Sequence, residues 1–196
     1  PDANFKAKLL AASPWNYIAK NLSDTYFKID ANNDGEIQQS EALQVKRLNV
    51  NSSNISSLEG IQYFTNLNLL DCGSNQLTSL NVSSNTALSK LECGNNQLTN
   101  LNFSNNTALT YLDCSANQLT NLNVSNNSDL NELYCSGNQL TNLNVNNNTA
   151  LTKFWCNSNQ LTSLNVSNNS ALIQLACGYN QLTSLNVINH NALLYL

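Results

Sequence analysis

"LTYLDCSANQLTNLNVSNNSD", residues 109–129, decides the fold. The stretch before it, "LSKLECGNNQLTNLNFSNNTA" (88–108), and the one after it, "LNELYCSGNQLTNLNVNNNTA" (130–150), repeat it nearly word for word. Leu recurs at Leu67, Leu88, Leu109, Leu130, Leu151, Leu172 and Leu193, a constant step of 21. Cys keeps that step from Cys72 to Cys177, and Asn keeps it from Asn75 to Asn180. A fixed period in this range marks a solenoid, in which each unit buries its apolar side only against its neighbours.

Within "LDC", alternation turns Leu112 and Cys114 inward and Asp113 outward, the period of a strand. Successive coils then stack about 4.8 Å apart. Asn at each corner can bond turn backbone and ladder from coil to coil. A second regularity lies inside the first, since "LNLLDCGSN" (67–75) and "LTSLNVSSN" (77–85) share one pattern. Each coil is therefore two half-turns, and a second strand is expected around Leu80–Val82 and its equivalents. A long convex helix has no room in so short a unit.

The unit L-x-x-L-x-C-x-x-N-Q-L-T-x-L-N-V-x-x-N-x-A resembles the leucine-rich repeat in its short bacterial form, over residues 45–196. The resemblance implies a mainly β solenoid of α/β repeat type, with a parallel sheet on the concave face. Residues 45–66 form an irregular first coil, whose "LEGI" is similar to internalin-like repeats of bacterial surface proteins. The "PDANF" start and the "NQLT" repeats resemble secreted surface proteins of Bacteroidetes-type bacteria.

An open solenoid end exposes core, so residues 1–44 are expected to form a helical cap. Asp2 suits the N-cap of a helix carrying Phe5, Leu9 and Leu10. Ser13-Pro14 reads as a second helix start, with Trp15, Ile18 and Ala19 on one buried face. "DANNDGEIQQSE" (30–41) matches D-x-[DN]-x-[DN]-G-x5-E. It resembles an EF-hand loop. That resemblance assigns Ca²⁺ ligands to Asp30, Asn32, Asp34, Glu36 (through its carbonyl), Gln38 and Glu41, oxygen donors suited to a hard cation. The loop departs from the family in being single and in having short flanking helices. A bound ion would be structural, fixing the cap onto the first coil; the bland alternative is an acidic turn without metal.

The repeats differ from one another mainly on one arm. Read down the stack, the residue between the inward Leu and Cys is Asp71, Glu92, Asp113, Tyr134, Trp155 and Ala176. The residue before that Leu is Leu69, Lys90, Tyr111, Glu132, Lys153, Gln174 and Tyr195. Tyr179 is a large residue where other coils have Ser, Asn, Ala or Gly. The other arm repeats Thr at Thr78, Thr99, Thr120, Thr141, Thr162 and Thr183. Tyr111, Tyr134, Trp155, Tyr179 and Tyr195 are thus candidates for an aromatic binding patch, with an acidic stripe of Asp71, Glu92 and Asp113 nearer the cap. Plain sheet propensity is the competing account of these aromatics.

Composition narrows the function. Net charge is −4, with eight Lys and Arg against twelve Asp and Glu, and residues 1–47 hold six of each. No basic patch is present to neutralise phosphates, which argues against nucleic acid. No apolar run approaches the ~18 residues of a membrane span. The six Cys share one repeat position and are expected to be free buried thiols, since parallel side chains rarely reach disulfide geometry. His190, the sole histidine, is expected at an outer corner, away from any Cys or Ser nucleophile. These features favour a non-enzymatic recognition or adhesion module, outside the cell or on a bacterial surface, binding a protein or a glycan. The alternatives are a structural spacer and, through the Thr ladder, ice binding. Both ends read as cuts in a longer protein, and the Leu193–Leu196 edge suggests either more chain beyond it or end-to-end dimers.

Overall fold

The computed structural model describes residues 2–188 and 190–196. The chain is a leucine-rich-repeat solenoid built on one eight-stranded sheet whose spatial order is its sequence order. β2 (Val45–Asn49), β3 (Leu69–Asp71), β4 (Lys90–Glu92), β5 (Tyr111–Asp113), β6 (Glu132–Tyr134), β7 (Lys153–Trp155) and β8 (Gln174–Ala176) are parallel. From β3 onward the register is one repeat per strand. Leu70, Leu91, Leu112, Leu133, Phe154 and Leu175 therefore stack in a single buried column. Cys72, Cys93, Cys114, Cys135 and Cys156 form a second buried column beside it. All six Cys are free thiols. Burial pushes the thiols up, Cys156 to about 12, so they stay protonated and behave as small apolar residues.

Two Asn ladders hold the turns. Asn117 Nδ2 donates to the carbonyls of Cys93, Cys114 and Ser115, and its Oδ1 accepts from Leu98 N at 3.0 Å. Asn96, Asn138 and Asn159 repeat that pattern in their own coils. The residue before each such Asn is left-handed: Ser74, Asn95, Ala116, Gly137, Ser158 and Tyr179 all have φ between 51° and 67°. Only Gly137 adopts this conformation without steric cost. The side-chain amide holds the turn closed against that cost. The second ladder, Asn85, Asn106, Asn127, Asn148 and Asn169, is fully buried and donates to carbonyls of the preceding coil. His190 continues this ladder, with Nε2 donating to Val166 O at 2.9 Å. It is buried rather than placed at an outer corner, because an imidazole can take over the donor role of the Asn amide.

The second arm differs from expectation. Leu80, Val82 and their equivalents are buried as the alternation implies. Yet among the described residues no strand forms there, only an isolated pairing of Asn81 with Asn102. The Asn between the inward Leu and Val of this arm turns its Oδ1 onto the N–H two residues ahead, as Asn123 does to Ser125 N.

The cap is part helix, part strand. α1 (Ala3–Leu10) buries Phe5 and Leu9. Asp2 caps it through Phe5 N, and its other oxygen accepts from the amide and hydroxyl of Ser56, tying helix to first coil. Desolvation opposes ionisation of Asp2, but the bonds from Ser56 and Phe5 outweigh it and hold the carboxyl at about 2. The helix expected after Ser13-Pro14 is absent. Asn16 instead accepts from Ser13 N and Ile18 N and donates to Ala11 O, locking a turn. Trp15 consequently stands 92% exposed rather than in the core. The chain continues into β1 (Ala19–Asn21), which runs antiparallel to β2 and covers the sheet edge. Asp24 accepts from Arg47 and lies near Lys20 and Lys46, fastening this hairpin to β2. At the far end Leu194, Tyr195 and Leu196 are exposed, and Tyr195 pairs with Gln174.

Candidate functional site: the outward face of the sheet

Three-residue strands in one-repeat register put their first and last side chains outward and their middle one in the core. The structure therefore assembles the two variable columns as neighbouring rows on one face. Tyr111 and Tyr134 rings lie 5.4 Å apart, and Tyr134 meets Trp155 edge-on at 5.0 Å. Both spacings suit favourable aromatic pairing. Trp155 remains 43% exposed at the end of this row. Next to it the column drops to Ala176, leaving a notch of about 360 Å³ bordered by Trp155, Ala176 and Tyr195. Tyr195 thus joins the patch across the notch. Tyr179 does not: it is 89% exposed in a left-handed turn, outside the ring contacts found among the described residues.

A charge network fixes the aromatic rings. Glu132 accepts from the Tyr134 hydroxyl at 2.6 Å and from Lys153 Nζ at 3.0 Å. Lys90 bridges to Glu92 at 2.9 Å and lies 4.1 Å from the centre of the Tyr111 ring. Desolvation and the nearby carboxylates push the Tyr111 phenol up to about 12, so it stays protonated as a hydrogen-bonding group. Asp71 and Asp113 are placed differently. Each accepts a backbone N–H two residues ahead, and Asn51 also donates to Asp71. Among the described residues neither has a cationic partner. Glycine at Gly73 and Gly94 leaves bare backbone beside them. A Cβ at Gly94 would come within 3.1 Å of Asp113 Oδ1.

The 30–41 loop is ordered by its own polar groups. Asp34 accepts from Glu36 N and from the Gln38 and Asn32 amides, which keeps its carboxyl below the usual carboxylate range. Glu41 accepts from Ala31 N and Gln38 N, and Gly35 sits at φ 79° in the sharp turn. Asp30 Oδ1 is buried without a hydrogen-bond partner. That orphaned carboxylate oxygen suits a cation ligand, as does the all-oxygen donor set. Among the described residues no three His, Cys, Asp or Glu side chains converge by themselves on a metal position. A cation would therefore need the Asn32 and Gln38 amide oxygens and the Glu36 carbonyl as well. The last three residues of the loop lie in the four-residue α2 (Gln39–Ala42) and the chain just before the loop is irregular, so only its C-terminal end is helical.

The fold is a mostly β leucine-rich-repeat solenoid with a parallel sheet, similar to the internalin fold. The functional domain of InlJ from Listeria monocytogenes, which includes a cysteine ladder, matches 100% of this chain at 32% identity with a TM-score of 0.72. Internalin C2 of the same organism matches with a TM-score of 0.83 at 24% identity, covering 83% of that chain. A leucine-rich repeat protein of Leptospira interrogans matches 80% of this chain at 27% identity with a TM-score of 0.75. The chain spans 45% of the InlJ domain and 44% of the Leptospira chain. No family model and no curated protein sequence matches it. Among the described residues no helix is long and apolar enough to cross a membrane.

Proposed function

We propose that the chain is a bacterial extracellular recognition module that grips a protein partner with the outward face of its sheet. The observation that carries this is the continuous row of Tyr111, Tyr134 and Trp155 on adjacent strands, ending in a half-exposed indole beside a notch. Tyr and Trp are enriched among residues that dominate interface energetics, and a rigid sheet presents them with little ordering cost. The test is a screen of extracellular proteins and glycans with the wild-type chain and a Tyr134→Ala/Trp155→Ala variant. Protein hits are expected to lose at least about 2 kcal/mol, roughly 30-fold in affinity. Unchanged binding of every hit ends this role for the face.

The six Thr of the other arm are all exposed in register, which keeps ice binding as a second reading. A thermal-hysteresis assay decides it, and zero activity removes it.

The cap loop is assigned a structural Ca²⁺, held by Asp30, Asn32, Asp34, the Glu36 carbonyl, Gln38 and Glu41. The ion would neutralise the Asp30, Asp34 and Glu41 carboxylates. Lys6 bridges Glu36 to α1, so ordering the loop also orders the helix that covers the first coil. Saturating Ca²⁺ at ~100 times its dissociation constant is expected to add about 2.7 kcal/mol to cap stability. Calorimetric titration and a thermal melt check it, and Asp30→Ala should abolish both the binding heat and the shift.

A further inference from the structure

We infer, on the footing of that recognition role, that the partner is a protein segment with basic side chains at one end and a large apolar anchor at the other, lying across the strands along the solenoid axis. One outward column carries the geometry. It runs Asp71, Glu92, Asp113, then Tyr134, Trp155 and Ala176, one residue per strand in unbroken register. Its first half is acidic and its second half is aromatic, closing on the notch beside Trp155.

Three carboxylates in one row, one strand spacing apart, repel one another. Lys90 answers Glu92, but no cation answers Asp71 or Asp113 among the described residues. The repulsion is relieved when a partner supplies Lys or Arg. Beyond residue 47 the sequence holds only two basic residues, Lys90 and Lys153, against six acidic ones. Four of those six, Asp71, Glu92, Asp113 and Glu132, lie on this face, so the repeats steer a basic partner to the sheet and not to the Thr arm. From Asp71 to Trp155 is four strand steps, about 19 Å at ~4.8 Å each. An extended segment at ~3.3 Å per residue covers that in about six residues.

The test selects a phage library of random dodecapeptides on the immobilised chain and remeasures the recovered peptides by fluorescence anisotropy. Recovered sequences should place two or three Lys or Arg within about six residues of a Trp, Phe, Tyr or Leu. Their affinity should fall about tenfold between ~0.05 and ~0.3 M salt. It should also fall at least about tenfold in the Asp71→Asn/Glu92→Gln/Asp113→Asn variant, whose amide oxygens at positions 71 and 113 still accept the backbone N–H two residues ahead. Circular dichroism and the thermal melt of that variant should match wild type. Peptides that lack basic residues, or that ignore the amide variant while Tyr134→Ala/Trp155→Ala abolishes binding, overturn the basic partner and leave the aromatic face standing. Binding that ignores both variants overturns the face itself. Glycan-array hits lost with Trp155→Ala, with no peptide recovered, would replace the protein segment by a sugar and overturn the inference.

Discussion

Asn117→Leu is expected to destabilise the chain by about 3–5 kcal/mol, measured by urea denaturation followed by far-UV circular dichroism. The side chain is nearly isosteric and the site is buried, so the loss does not come from size. It comes from the backbone. Asn117 supplies the acceptor for Leu98 N and donors to the Cys93, Cys114 and Ser115 carbonyls, all within 3.2 Å. Leu supplies none of them. Leu98 N is left without an acceptor in a water-free corner, at a cost of about 1–3 kcal/mol, and the three carbonyls, each still held by one other donor, lose the Asn117 bond as well. The same turn holds Ala116 at φ 51°, a conformation an L-residue keeps only when its surroundings impose it. Gln118→Leu, one residue along and exposed, is the control and should stay within about 0.5 kcal/mol. A loss below about 1 kcal/mol at Asn117 would mean that Leu and Cys packing alone shapes the turn.

That contrast explains what the sequence disclosed. The 21-residue step announces the coil because every unit meets the same neighbour. Identical environments select identical residues at Leu112, Cys114 and Asn117, and register follows without any long-range pairing problem. The outward columns were legible for the same reason, since alternation sorts Asp113 and Tyr111 to the face opposite Leu112. What was not legible depends on contacts made once. The Ser13-Pro14 pair offers a helix start, yet Asn16 spends its amide on Ser13, Ile18 and Ala11 and closes a turn instead. β1 forms because β2 has an open edge to cover, and nothing in "AKN" says so locally. On the second arm, Leu80 and Val82 alternate like a strand, but the described residues show only the isolated Asn81–Asn102 pairing, with Asn81 bonding Ser83 N in a local turn. The signal was present there: Asn in the middle of an expected strand favours its own local turn. In the binding face, Tyr179 could be misassigned because it shares a repeat period without sharing a strand. His190 looked peripheral because its neighbours in the column are polar, although those Asn are the most deeply buried polar groups in the chain.

Phe154→Ala is the other large effect, expected at about 3–5 kcal/mol, with Phe154→Leu costing under about 1.5 kcal/mol. Phe154 stands in the column that holds Leu70, Leu91, Leu112, Leu133 and Leu175, and it is fully buried. Leu is the residue this position accepts in every other coil from β3 on, so the coil can close around it. Ala leaves a void beside Cys156 and under Trp155. Because each coil rests only on its neighbours, the loss does not spread evenly. β7 is the sole link between β6 and β8, and weakening it uncouples the last coils from the rest. Phe154→Ala should therefore unfold in two steps, with amides of β7 and β8 exchanging well before those of β3 to β5. Trp155 fluorescence reports the first step, once Trp15, exposed in the cap, is replaced by Phe. A single cooperative transition with uniform exchange would show that stability is shared along the whole coil. The early step also removes the Trp155 end of the aromatic row while leaving Asp71, Glu92 and Asp113 in place, so the variant separates the apolar half of the binding face from its acidic half.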